Sequence, residues 1–98
     1  MEVYDKATWH TDGGENEEEV VERFRLVFDF LSKKNMLTDL GRETMEFFMG
    51  ADISLNTRMV NEVGENFLNQ YYDNILSEDN SRINECLIKY YNEFIEKN

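Results

Sequence analysis

Apolar positions recur every three or four residues over most of this chain, the period of a helix with one buried face. Over residues 16–34, Val20, Phe24, Val27, Phe28 and Leu31 fall on one face, and Leu26 and Phe30 on a second. A helix apolar over so much of its circumference is expected at the centre of the fold. Asn16 is placed to cap it, with Glu19 at the capping-box spacing. Glu17, Glu18 and Glu19 in its first turn, and Lys33 and Lys34 at its end, complement the helix dipole. The pattern predicts a second helix over residues 38–49, capped by Thr38 and stopped by Gly50. A third is predicted from residue 59 or 61 to 76. Its face is Val60, Val63, Phe67, Tyr71 and Ile75, with Leu68, Tyr72 and Leu76 alongside. A fourth, over residues 80–96, carries Ile83, Leu87, Tyr90, Tyr91 and Phe94. Residues 51–57 alternate weakly and read as a loop or a short extended segment. The polar turn at residues 77–80 is short, so the last two helices are expected to pack antiparallel.

Residues 4–14 fit no helix period. They hold the only Trp, the only His and two of the five Gly of the chain. Tyr4, Ala7 and Trp9 read as the apolar positions of an arm lying across the helices, and Gly13 and Gly14 as a hinge into the first of them. His10, beside Trp9, reads as part of the same structural arm. The expected fold is therefore all-α. It is a single helical domain over residues 1–98: an irregular N-terminal arm (1–15) and a small bundle of about four helices (16–98).

Two helix starts echo one another. Met36-Leu37-Thr38-Asp39-Leu40-Gly41 resembles Met59-Val60-Asn61-Glu62-Val63-Gly64 further along the chain. In each, an apolar residue precedes a capping Thr or Asn, an acid follows, and Gly stands three residues after the cap. Gly inside a helix costs about 1 kcal/mol against Ala. Its recurrence at one place implies close approach of a neighbouring backbone there.

Charge narrows the partner class. Asp and Glu total 21 against 10 Lys and Arg, a net charge of −11 over 98 residues. Such a field opposes phosphate backbones and anionic lipid and favours a basic protein. The acids concentrate at Asp12, Glu15, Glu17, Glu18 and Glu22, a stretch without Lys or Arg that is the candidate partner-binding surface. No run approaches the roughly 20 apolar residues of a membrane span. The start, Met1 to Asp5, lacks the basic and apolar regions of a signal peptide. A cytoplasmic location is expected.

Catalytic and metal signatures are weak. His10 has Asp5 and Asp12 nearby, but nothing in the spacing links it to a Ser or to Cys86 as nucleophile. Cys86 is the only cysteine and is expected to be a buried, inert thiol. One His and one Cys do not make a zinc site, and the acidic run lacks the alternation of a calcium loop. Gly13 and Gly14 precede a helix without the Lys of a phosphate-binding loop. The reading is a protein without cofactor or metal and without catalytic residues.

The opening Tyr4-Asp5-Lys6-Ala7-Thr8-Trp9-His10, followed by Asp12-Gly13-Gly14, resembles a family of small uncharacterised bacterial proteins. Its members begin Tyr-Asp-x-Ala-Ser/Thr-Trp-His and continue into a Gly-rich acidic turn. The resemblance extends to the connection at Asn35-Met36-Leu37-Thr38 and is vague beyond it. It implies no established activity, and Glu15-Asn16-Glu17-Glu18-Glu19 replaces the family's Pro-rich acidic run. Small acidic helical chains of this kind also resemble the immunity proteins of bacterial polymorphic toxin systems. That likeness implies a non-enzymatic inhibitor of a basic toxin, for example a nuclease. Three alternatives accompany it: a phage-type nucleic-acid mimic that blocks a DNA- or RNA-acting enzyme, a small enzyme using His10, and a homodimerising structural domain.

Overall fold

The computed structural model describes residues 2–97. In chain order the elements are β1 (Val3–Lys6), α1 (Ala7–Thr11), α2 (Glu17–Lys33), α3 (Asp39–Phe47), β2 (Ser54–Asn56), α4 (Glu62–Leu76) and α5 (Ile83–Lys97), with a 3-10 turn at Asn80–Arg82 leading into α5. The fold is mostly helical, and α2 to α5 correspond to the four expected helices. The N-terminal arm is not irregular. It is a strand followed by one short helix, and the extended segment after α3 pairs with it antiparallel, Asp5 opposite Leu55 and Lys6 opposite Ser54.

Central α2 packs against α1, α3 and α5. Val20, Phe24, Val27, Phe28 and Leu31 are all buried, and Phe30 on the second face is buried too. Asn16 caps the helix through its side chain, accepting from the Glu19 amide at 3.1 Å. At the other end Asn35 adopts a left-handed conformation, φ 57°. The amides of Asn35 and Met36 turn back to the carbonyls of Ser32 and Leu31, a Schellman ending that satisfies carbonyls the helix would leave open. The pairs Phe67–Phe94 and Tyr71–Tyr90 (ring centroids 5.5 and 5.2 Å apart) join α4 to α5. Residue numbers rise along one helix as they fall along the other, so the two run antiparallel, as expected from their short connection.

The echoed helix starts face one another. Leu37 and Val60 form an isolated antiparallel bridge. The Thr38 amide donates to the Met59 carbonyl and the Asn61 amide to the Met36 carbonyl, both at 2.9 Å. Each cap side chain plays two parts. Thr38 Oγ1 accepts from the Gly41 amide and donates to the Arg58 carbonyl. Asn61 Oδ1 accepts from the Gly64 amide, and its Nδ2 donates to the Asn35 carbonyl. A Cβ on Gly41 would collide with the Met59 carbonyl oxygen, and one on Gly64 would lie 2.8 Å from that of Met36. The two glycines are therefore the places where backbone crosses backbone, reciprocally.

Several positions differ from the expectation. α3 ends at Phe47 rather than at residue 49, and Phe47 and Phe48 stand 72% and 69% exposed. Val63 is exposed and not on the buried face of α4. The Asn61 cap starts that helix at Glu62, and Gly64 takes the inward position, which turns Val63 out. Cys86 is half-exposed rather than buried, because Leu87, the next residue around the helix, takes the core position. Among the described residues, no helix is long and apolar enough to cross a membrane.

Candidate functional site

The arm delivers a polar network into the fold. β1 is irregular between Val3 and Asp5, and this break in alternation brings both Tyr4 and Asp5 to Tyr72 of α4. The Tyr4 ring lies 6.4 Å from that of Tyr72, and the Tyr72 hydroxyl donates to Asp5 Oδ2 at 2.6 Å. Asp5 is 1% exposed. Its other oxygen accepts from the Lys6 amide at 2.9 Å.

His10 completes the network. It lies one helical turn beyond Ala7, which is wholly buried, so α1 directs its ring inward. Nε2 lies 2.8 and 2.9 Å from the two oxygens of Asp5, and Nδ1 lies 2.7 Å from Glu15 Oε2. A neutral imidazole carries one N–H and would set a lone pair against one of these carboxylates. Both contacts are satisfied only by the imidazolium, which donates from both nitrogens. Burial opposes that charge, but the hydrogen bond and charge of Asp5, then those of Glu15, outweigh it and raise the His10 pKa above 6.5. The Tyr72 hydroxyl is held protonated, its pKa pushed well up by burial and then by the Asp5 charge. The Tyr4 hydroxyl is pushed up to about 12 by burial, then by Glu65 and Glu2.

Gly13 and Gly14 make this closure possible. Gly14 has φ 97°, a conformation that costs glycine nothing. The turn lets the Glu15 amide return to the His10 carbonyl at 3.1 Å. Glu15 is thereby brought under the imidazole, and Arg23 Nη1 of α2 approaches its other oxygen at 3.9 Å. Chemically the ring is a charged cross-link between strand, turn and helix. With both nitrogens engaged by carboxylates, it presents no lone pair to a bound molecule.

Trp9 is the main correction in the arm. Rather than covering the core, as its size suggests, it is 55% exposed, with Lys6 Nζ 5.9 Å from its ring centroid. Two residues after the buried Ala7, about 200° around a helix, its side chain points away from the core. The buried contributions of this segment are Ala7 and the carboxylate of Asp5, with Tyr4 packed half-buried against the core.

The acidic surface divides in two. Glu15 belongs to the His10 network, and Glu22 is paired with Arg25 at 2.8 Å. Asp12, Glu17 and Glu18 are exposed and make no ion pair among the described residues. Glu17, Glu18 and Val21 border a groove of about 490 Å³ whose far wall is Gly50 and Ala51. Among the described residues, no cluster of His, Cys, Asp and Glu is spaced to hold a metal ion. The sequence showed Asp5 only as a neighbour of His10. Tyr72, far downstream on α4, carried no signal of its role.

Comparison with known protein families, curated proteins and solved structures finds no match to this chain.

Proposed function

We propose that this chain is a non-enzymatic binding protein that neutralises a basic protein partner by covering it, in the manner of a bacterial immunity protein acting on a toxin. One observation carries the reading. Glu17 and Glu18 sit exposed in the first turn of the capped, core-packed α2, and Asp12 sits exposed at the end of α1 just before it, all three without ion-pair partners among the described residues. Unpaired surface charges on a fixed backbone steer a basic partner into place and set the register of the complex. The net charge of −11 favours the same encounter over the whole surface. The engagement of both His10 nitrogens supports a binding role for the domain over a reaction centred on that ring. The general likeness to small acidic immunity proteins suggests a toxin as the partner, a nuclease being one basic example.

The test is co-purification with the basic product of the neighbouring gene at low and at high salt. Binding is expected to weaken with salt and to fall by roughly an order of magnitude or more when Asp12, Glu17 and Glu18 are together replaced by Lys, since close interfacial charge pairs couple strongly. A complex indifferent to both changes would sink the acidic-surface reading.

A further inference from the structure

Phe47 and Phe48 close α3 with two adjacent aromatic rings, 72% and 69% exposed. They are not needed to end the helix: the Phe48 amide makes the last return to the Thr44 carbonyl, and a small polar residue would do so equally. Leu40, two turns before Phe47 on the same stripe, is 43% exposed. The segment after them lines two grooves. Gly50 and Ala51 face Glu17, Glu18 and Val21 across the first, and Phe48 and Asp52 border a second of about 340 Å³. At this apolar tip Phe48 thus borders the second groove directly, and the chain runs from it within two residues to the wall of the first.

The surroundings of this tip are acidic. Glu43 and Glu46 precede it on α3, Asp52 follows it, and Glu17 and Glu18 lie across the groove. Of the nearby cations, Arg25 is held by Glu22 at 2.8 Å and Arg42 lies 3.8 Å from Asp39; Arg58, next to Met59 of the second groove, is outnumbered by these acids. A second copy of the chain placing this face on itself would set like charges against one another. An anionic membrane would be repelled in the same way. An apolar centre with an acidic rim is the complement of an apolar side chain set among Lys and Arg.

We infer that Phe47 and Phe48, with the Glu17–Glu18 edge of the adjoining groove, form the anchoring surface for a basic protein segment that carries an apolar residue at its centre. This rests on the binding function proposed above and adds to it the place and the apolar part of the contact. Buried aromatic anchors ringed by polar groups carry most of the energy of such interfaces, while rim charges set approach and register.

The test uses the full chain, labelled for amide NMR, and two synthetic probes of equal positive charge. One is a Lys- and Arg-flanked peptide with a Leu centre, and the other is an oligolysine. The Leu-centred peptide is expected to bind more tightly and to shift Phe47, Phe48, Gly50, Ala51, Glu17 and Glu18 together. Replacing both phenylalanines with Ser is expected to weaken that peptide by about tenfold or more and to leave oligolysine unchanged. Both rings are exposed, so an unchanged melting curve is expected for the variant. Equal affinity for parent and variant, or a footprint elsewhere, overturns this assignment while leaving a basic partner in place. Failure of both probes to bind at low salt overturns the broader function as well. A dimer of the parent chain that the Ser variant abolishes assigns the face to self-association and also overturns the inference.

Discussion

Replacing His10 with Ala removes the imidazolium that ties β1 and α1 to the turn before α2. Asp5, 1% exposed, keeps the Tyr72 hydroxyl and the Lys6 amide but loses its charged donor, a contribution of about 1.5–3 kcal/mol for a hydrogen bond to an ionised group. The Glu15 side chain is 47% exposed, so water replaces the ring there and that arm contributes under about 1 kcal/mol. The expected total is about 2–4 kcal/mol, a fall in Tm of about 10–25 °C for a domain of this size. Thermal and denaturant unfolding followed by helical circular dichroism measure it. The pH dependence has a definite sign. The folded pKa of His10 is raised above 6.5, so its contribution is fully present below pH 6.5. It declines as pH rises from there through the folded pKa, because the unfolded chain has already released that proton. The stability gap between parent and His10→Ala should therefore narrow toward alkaline pH. His10→Gln, which donates without charge, should fall between the two and lack that dependence. A His10→Ala protein melting within a few degrees of the parent, or a gap that widens as pH rises, would refute the imidazolium assignment.

Other outcomes follow from the same contacts. Trp9→Ala is expected to change stability by less than about 1 kcal/mol, because exposed substitutions away from packed features have small effects. A large drop in its denaturant midpoint would show that the ring covers the core after all. Gly41→Ala and Gly64→Ala should each destabilise by about 1–3 kcal/mol despite the ~1 kcal/mol gain in helix propensity, since the added methyl meets backbone that cannot step aside. Gly41→Ala should be the worse of the two, its Cβ lying closer to a carbonyl, and chemical denaturation of the pair decides the order. A Gly→Ala variant more stable than the parent would mean that the crossing is looser than it stands here.

The helices were legible because their information is local. Cap, period and stop lie within each segment, and the expected core of α2 is its observed core. The recurrent Gly was legible for a related reason: its propensity cost at Gly41 and Gly64 needed a tertiary cause, and backbone crossing is that cause. β1 was hidden because so short a strand with an irregular register shows no alternation, and its partner β2 lies beyond three helices. Trp9 misled because its size suggests burial, whereas its place on a short helix is set by the small Ala7 two residues before. Within the candidate site, Glu15 and Glu22 looked equivalent to Glu17 and Glu18 in the acidic run. They are not, because folding brings His10 to one and Arg25 to the other. Phe47 and Phe48 fall inside the span expected for the second helix, and nothing local revealed that α3 stops there with both rings turned outward.

The reciprocal crossing at Leu37 and Val60 has a consequence for how the domain opens. The Thr38 amide is held by the residue two before the α4 cap, and the Asn61 amide by the residue two before the α3 cap. Neither helix can release its first turn without removing an acceptor from the other. The N-terminal ends of α3 and α4 therefore belong to one cooperative opening unit, although the whole of α3 and β2 lies between them along the chain. Under native-state hydrogen exchange, the amides of Thr38 and Asn61 should share one opening free energy and one denaturant slope, and a destabilising change at either glycine should lower both together.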